Sequence, residues 1–457
     1  MPIWSMRLEA GGAMLMTDDS APFREGFDQM LATAAEPVWL TFRRRAEMDR
    51  FALLGFPTRR QEAWRFTDLE PLTAAAPLPM AAPLPMAMAD DLPSPASLAL
   101  WLLPVTTHRL VLANGHVVPS LSAGPPLPDG VWLASVAETL RRRPDLLEGA
   151  FGDEDGALAA LNAALFTDGV VLALEPGVTL ETPVEVIHHT TAAGAHARLH
   201  IALGAGSRAT VVETAIGPVG DGAAAGPVTS WGNTVGVVTL GADAVLTHLH
   251  IQAEGPAACH TAAVRAVLAD RARYDACAVI TGARLSRRDM AVVLAGDEAE
   301  FRLYGAYLLD GGQEATLSVR ADHLGLGCRT DEVVKGVLAG ASHGVFLGTL
   351  AVAPGADGAD ARQVNRNLLL SPTARVDTKP ELEILADDVK CAHGATVGSL
   401  DEAALFYLQA RGIDPETARR MLVEAFAAEV LDAAGLPTAL AELAHRHLWR
   451  WLDGRDS

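Results

Sequence analysis

Cys391 and His393 form a Cys-x-His pair inside the segment DVKCAHGATVGSL, just before the start of an amphipathic helix. In an extended segment, positions i and i+2 project to the same side, so the thiol and the imidazole would lie next to each other. Both side chains are ligands for iron or zinc. Two ligands make only half of a metal site, so a bound metal would need ligands from another chain. On residue types alone, the alternative is a buried thiol beside a hydrogen-bonded imidazole.

The other cysteines do not supply the missing ligands in sequence. Cys259, Cys277 and Cys328 lie far from Cys391, and no Cys-x-x-Cys motif is present. This spacing argues against zinc ribbons and self-sufficient cluster-binding motifs. The chain also lacks a Walker phosphate loop, a G-x-S-x-G elbow and an H-E-x-x-H helix, so any ATP hydrolysis is expected in a different protein.

Two further sets of polar residues are candidates for chemistry. His248 and His250 alternate along a predicted strand and share a face, whereas the neighbours Cys259 and His260 point to opposite faces. We interpret these side chains as polar groups on a solvated wall. Acidic clusters at 297–300, 331–332 and 387–388 have no basic partner at a fixed spacing, so we interpret them as turn residues and solvated surface.

The middle of the chain predicts a parallel β-helix over residues 165–398. Five related phrases each contain an apolar strand end, a turn of small residues and a second alternating strand; they begin at Leu203, Leu240, Leu268, Leu294 and Leu338. Imperfect repeats of this length are typical of a solenoid, in which each coil needs small residues at its corner. A β-sandwich is the alternative fold.

The flanking regions have a different character. Residues 1–70 are predicted to be helical, and a C-terminal helical domain is predicted over 399–457, with Asp401 and Asp414 as helix N-caps. The remaining predicted segments are an Ala/Pro-rich linker at 71–97, in which AAPLPM occurs twice, and a mixed α/β lead-in at 98–164.

Composition excludes several classes of protein. The 457 residues carry a net charge of −20, with a sequence pI near 5.1, which argues against nucleic-acid binding. No apolar run approaches the length of a transmembrane helix, and the first residues do not resemble a signal peptide. With four cysteines and no evident disulfide pattern, a cytoplasmic protein is expected. A polysaccharide-active β-helix enzyme is the alternative function, and it predicts secretion and a carboxylate-lined groove.

Three segments, residues 59–69, 162–172 and 379–413, resemble the SufB/SufD family of scaffold subunits in the SUF iron–sulfur cluster assembly machinery. The longest is KPELEILADDVKCAHGATVGSLDEAALFYLQARGI, which contains the Cys-x-His pair. The resemblance covers most of the chain. It implies a mainly β protein, in which a right-handed parallel β-helix core is flanked by N-terminal and C-terminal helical domains.

The resemblance also implies a non-enzymatic scaffold in a heteromeric complex. A SufD-like subunit pairs with a SufB-like paralogue through the β-helix cores, and its C-terminal helices bind SufC, an ABC-type ATPase. The ATPase-docking residues implied here are Leu405, Phe406, Tyr407, Arg411, Met421 and Phe426. A homodimer formed through the β-helix edge is the alternative assembly.

A nascent iron–sulfur cluster is implied at the interface between the two paralogues, with His393 and Cys391 as metal ligands shared with the partner chain. No cofactor is expected to bind stably to this chain alone, and a role for reduced flavin in the complex stays open. SufB-like chains carry an upstream cysteine where this chain has Ala374, and a Glu where it has Gly394. The sequence therefore resembles the SufD branch of the family.

Overall fold

The computed structural model describes residues 20–454 except 35, 74–91, 149, 152–154, 192–193 and 218–228. Most of the Ala/Pro-rich segment predicted to be a linker, residues 71–97, lies outside the described residues. The first 19 residues of the predicted N-terminal helical region also lie outside them.

The described α-helices fall before the solenoid, within residues 21–165, or after it, within residues 402–453. They are α1 Ala21–Thr33, α2 Val38–Leu54, α3 Glu70–Thr73, α4 Pro95–Ala99, α5 Val136–Arg142, α6 Ala157–Leu165, α7 Glu402–Ala410, α8 Pro415–Ala433 and α9 Thr438–Asp453. The carboxylates of Asp401 and Asp414 accept hydrogen bonds from the first backbone N–H groups of α7 and α8. Both predicted caps are therefore confirmed.

The strands form two sheets. The ten-stranded sheet contains β1 His108–Ala113, β2 His116–Val117, β5 Val184–His189, β7 Arg208–Ile216, β9 Val245–Gln252, β11 Arg273–Ile280, β13 Glu300–Leu309, β15 Arg329–Leu338, β17 Ala359–Leu369 and β19 Val389–Gly398. The nine-stranded sheet contains β3 Val131–Ser135, β4 Asp168–Leu174, β6 Ala195–Leu203, β8 Ser230–Leu240, β10 Ala258–Leu268, β12 Leu285–Leu294, β14 Glu314–His323, β16 His343–Val352 and β18 Arg375–Ile384.

The chain from β4 to β19 winds as a parallel solenoid. Successive strands alternate between the two sheets, and each strand pairs in parallel with the strand two positions later. Each sheet receives eight of these strands, one from each turn. The predicted parallel β-helix with helical regions at both ends is confirmed, and the β-sandwich alternative is wrong because its sheets would be antiparallel.

Four of the five repeated sequence segments form the same corner of successive solenoid turns. Each turn before the last places one residue there with a positive φ, and its N–H donates to a carbonyl of the next turn; these residues are Gly177, Gly206, Asp243, Arg271, Glu298, Gly327 and Gly358. Left-handed backbone is unfavourable for a residue with a Cβ, so the turn favours glycine or short polar side chains. The phrase at Leu338 lies at a different corner, where the chain crosses from β15 to β16.

Helices cover the outer faces of both sheets. The Lys335 ammonium on β15 donates to the Phe426 carbonyl at 2.8 Å and to Glu429 at 2.7 Å, which fixes α8 to the ten-stranded sheet. On the nine-stranded sheet, the Arg287 guanidinium lies 3.7 Å from the centre of the Trp64 ring. The segment 59–69 that carries part of the family resemblance therefore acts as a contact between the N-terminal region and the solenoid.

Several histidines lie inside the solenoid. His248 and His250 are 2% and 3% exposed, so the interpretation that they lie on a solvated wall is wrong. Their strand places them on the inner face with Glu213, whose carboxylate lies 3.5 Å from His248 Nε2. Cys259 and His260 do point to opposite faces, because Cys259 packs among the N-terminal helices while His260 binds Glu254 at 2.9 Å. Both are buried, so the solvated-wall interpretation is wrong for them as well.

Burial keeps a group of histidines neutral. Loss of hydration lowers the pKa of His196 to about 3 and that of His200 and His323 to about 4. At His447, which stacks on Trp101, burial lowers the pKa to about 3. An unfolded histidine titrates near pH 6.5. The stability associated with these groups is therefore present above pH 6.5 and is lost as the pH falls towards the folded-state values.

We predict that His447→Phe weakens the acid sensitivity of folding. The phenyl ring retains the stacking on Trp101 but removes a group that binds a proton only after unfolding. Between pH 7.5 and 5.5, the variant should lose about 1.4 kcal/mol less unfolding free energy than the wild-type chain. Urea denaturation at both pH values measures this difference. An equal loss in the two proteins would contradict the assignment of His447 as a neutral buried group.

Candidate functional site

The last turn of the solenoid has no further turn stacked on it in the part of the chain that the structure describes. β18 and β19 are the terminal strands of the two sheets, and no described strand pairs with their outer edges. We call β18, β19 and the interior face between them the open end. Ten-residue edge strands carry unsatisfied backbone N–H and C=O groups, which makes them a template for pairing with another chain.

Register places Cys391 and His393 on the inner face of the open end. Cys391 aligns with Ala361 on β17, and His393 aligns with Gln363. Ala361 and Gln363 are buried inside the solenoid, and strand alternation gives their register partners the same direction. The two predicted ligands therefore share a face, as the sequence predicted, and the inner face of the next turn lies beneath them.

Exposure changes abruptly at this turn. Inward-facing residues alternate with exposed ones along β17, whereas β19 is exposed at nearly every position. Large apolar side chains are exposed at the same end, with Leu385 at 70% and Val397 at 50%. Val397 aligns with the buried Asn367 and so lies on the inner face with Cys391 and His393. Exposed apolar side chains at uncovered core positions are typical of a surface that is buried in an assembly.

The Cys391 thiol is half-buried and packs against Ala361 and its neighbours. Burial, aided by the negative charge of Asp360, raises its pKa above the ordinary value. The other three thiols are buried, and burial raises the pKa of Cys259 and Cys277 to about 12. Because the thiolate is the form that binds metal, Cys391 needs a nearby cation before it can act as a ligand.

The His393 imidazole is exposed, and it has no hydrogen-bond partner among the residues that the structure describes. Within the same part of the chain, no three His, Cys, Asp or Glu side chains are arranged to hold a metal ion. Cys391 and His393 can therefore contribute two ligands, and the remaining ligands of a bound metal must come from outside the described chain.

The predicted docking residues occupy three different environments. Leu405 is buried and fixes α7, while Phe426 is half-buried against the Lys335 ammonium at 4.5 Å. The exposed members are Phe406, Tyr407, Arg411 and Met421. The Arg411 guanidinium lies 4.6 Å from the Tyr407 ring centre. These four exposed side chains, which we call the α7–α8 patch, form the accessible part of the predicted surface.

Members of two acidic clusters make structural contacts in the solenoid. Asp297 accepts a backbone N–H at the corner, Glu300 pairs with Arg329 at 3.2 Å, and Asp331 accepts a hydrogen bond from Tyr304 at 2.7 Å. A groove of about 780 Å³ follows the corner, but arginines as well as carboxylates line it. Two of its carboxylates, Asp243 and Glu300, form ion pairs with Arg271 and Arg329.

Glu332 lies inside the solenoid and not on the solvated surface predicted from the sequence. It is fully buried on the inner face of β15 and receives a hydrogen bond of 2.7 Å from Gln363. The interpretation of residues 331–332 as a solvated cluster is therefore wrong for Glu332. The signal was available in the sequence, because Glu332 lies in alternation with Thr330 and Val334 on a predicted strand.

Comparison with known families shows which protein family this chain belongs to. A family model described as the SUF system FeS cluster assembly SufBD core domain matches residues 186–426, which is more than half of the chain. The chain belongs to the SufBD family. A second model, for the SufBD protein N-terminal region, matches residues 101–186. Members of this family take part in iron–sulfur cluster assembly, so the family resemblance found in the sequence is confirmed.

Curated relatives match along most of their length. An iron–sulfur cluster assembly SufBD family protein of Synechocystis is 28% identical over 91% of this SufBD chain and 92% of its own length. The SufD protein of Escherichia coli is 29% identical over 83% of this chain and 85% of its own. The chloroplastic protein ABCI7 of Arabidopsis thaliana is 29% identical over 82% and 79%, respectively. None of the helices in the described residues could span a membrane.

We predict that native alkylation modifies one thiol per chain. Cys391 is half-buried while the other three cysteines are buried, so an alkylating reagent should add one label natively and four after denaturation. Its rate should rise about tenfold per pH unit below the thiol pKa, because the thiolate reacts. Intact-mass spectrometry counts the labels. Cys391→Ser should remove native labelling, and labelling of a second thiol in the native wild type would contradict the structure.

Proposed function

We propose that this chain is a non-enzymatic scaffold subunit of an iron–sulfur cluster assembly complex. The cluster is cargo that forms where the open end meets the β-helix of a SufB-like paralogue. The observation that carries the proposal is that Cys391 and His393 lie on an inner face that no described strand of the chain covers. Membership of the SufBD family supports iron–sulfur cluster assembly as the chemistry of this two-chain site.

Edge pairing provides the assembly step. Strands β18 and β19 would each accept a strand of the partner, which would satisfy their backbone groups and cover the exposed side chains of Leu385 and Val397. Formation of this contact encloses His393 and Cys391 between two solenoids. Iron held at this interface would then favour the Cys391 thiolate despite its raised pKa, because a bound cation stabilises the deprotonated form.

The SufD assignment rests on a missing thiol. SufB-like chains carry a cysteine at the position where this chain has Ala374, which is buried immediately before β18. The chain therefore has no sulfur acceptor of that kind at the last turn. We propose that it acts as the SufD-type subunit and that the paralogue provides the sulfur-accepting thiolate.

The α7–α8 patch is the proposed contact for an ABC-type ATPase. Its aromatic and Met side chains are exposed on two capped helices that lie beside the solenoid. ATP-driven motion of the bound ATPase could be transmitted through α8, which Lys335 ties to β15. This arrangement would allow the two-chain site to open and release its cluster.

We predict that His393→Ala impairs cluster assembly while the fold stays intact. The side chain is exposed and removes no described hydrogen bond when it is truncated. In cells that depend on this chain, the activity of cluster-dependent enzymes should fall about tenfold, as expected when a ligand position is lost. His445→Ala, which changes a histidine on α9 away from the open end, is the control. Unchanged enzyme activity with His393→Ala would refute the ligand assignment.

We predict that Phe406→Asp weakens ATPase binding. A buried aromatic anchor contributes about 2 kcal/mol or more at protein interfaces, so affinity should fall at least about thirtyfold. Phe42→Asp is a matched control, since Phe42 is 71% exposed on α2 and Phe406 is 72% exposed on α7. Anaerobic affinity purification with partner identification, followed by titration, measures the effect. Equal binding by both variants would show that α7 is not the docking site.

Native mass measurement separates the competing assemblies. A mixture with the SufB-like paralogue should give the heterodimer through the open end, and a homodimer alone would contradict the proposal. The polysaccharide-enzyme alternative is less well supported, because two carboxylates of the corner groove, Asp243 and Glu300, are paired with Arg271 and Arg329.

A further inference from the structure

A polar column leads from the solenoid interior to the open end. Glu332 on β15, Gln363 on β17 and His393 on β19 are consecutive register partners and share the inner face. Glu332 and Gln363 are fully buried. The residue before them in the same column is the apolar Leu303, which is the register partner of Glu332 on β13. The column therefore begins above an apolar layer and ends at the proposed cluster ligand.

The structure fixes the orientation of the Gln363 amide. Its Nε2 donates to Glu332 Oε2 at 2.7 Å, which turns the amide oxygen away from that carboxyl oxygen. Gly348 provides the space, because a Cβ at that position would lie 2.1 Å from Gln363 Nε2 and 2.5 Å from Oε1. The combination of a buried amide, a carboxyl partner and an opposing glycine indicates a specific arrangement rather than simple filling of the interior.

Two polar oxygen atoms in this column have no hydrogen-bond partner among the described residues. They are Gln363 Oε1 and Glu332 Oε1, and both are buried. Buried polar atoms without partners are unfavourable and are usually satisfied in the functional state. The next side chain towards the open end is the imidazole of His393, which can donate a ring N–H.

We propose that Gln363, held by Glu332, accepts a hydrogen bond from one ring nitrogen of His393 and thereby directs the other nitrogen to iron. This inference rests on the proposed function and adds two positioning residues to it. Metal-binding histidines commonly donate their second N–H to a carbonyl or carboxylate, which fixes the tautomer and the ring orientation. Burial raises the pKa of Glu332 to about 8, so the column adds little negative charge at neutral pH.

The test compares stability with metal coordination. In Glu332→Leu/Gln363→Leu, both partners of the buried hydrogen bond become apolar, so the melting temperature should stay equal or rise. The complex with the paralogue would be loaded with ferrous iron and sulfide, with ¹⁵N-histidine in this chain only. Iron affinity should fall at least about tenfold, and the ¹⁵N hyperfine signal of the bound imidazole should weaken. Glu332→Gln, which can still accept from Gln363, should retain both properties.

The outcomes separate the two claims. If His393→Ala loads iron and sulfide like the wild-type complex, then His393 is not a ligand and the proposed function fails at this residue. If His393→Ala loses the cluster but the double leucine variant retains wild-type affinity and hyperfine signal, only the positioning role of Gln363 is wrong. A lower melting temperature with unchanged iron affinity would assign the column a structural role and would also overturn the inference.

Discussion

In-register parallel pairing between successive turns is the constraint on which the rest of the structure depends. Each turn satisfies the backbone groups of the turn before it, and each inner side chain lies directly over its register partner. This repetition fixes columns of side chains through the solenoid. It also requires that the last turn remain unpaired unless another chain supplies the next one. The pairing of β19 with β17 places Cys391 and His393 on the inner face of that last turn.

The solenoid could be predicted from sequence because its determinants are local. A corner that needs small residues or left-handed backbone recurs with every turn, and alternating apolar residues follow it in β7, β9, β11 and β13. The caps at Asp401 and Asp414 were predictable for the same reason, since each depends on residues within one helical turn.

The interior polar residues could not be placed as readily. Whether His248 faces solvent or the core depends on which face of its strand packs inside, and sequence alternation alone does not decide that. Gln363 carried no motif, and its relation to Glu332 and His393 appears only when β15, β17 and β19 are aligned. Partner contacts are harder still, because the α7–α8 patch and the open end are both defined by what the chain leaves exposed.

The two ends of the solenoid differ, and this difference limits how large an assembly can grow. At the beginning, the sheets finish in β2 and β3, which are only two and five residues long and run antiparallel to their neighbours. A parallel solenoid cannot continue the same register across such strands. Among the described strands, only the edges of β18 and β19 can therefore accept a parallel strand in the register of the solenoid. Two solenoids that meet at their long edges leave no further growing end, so the contact closes as a pair and cannot propagate into a fibre.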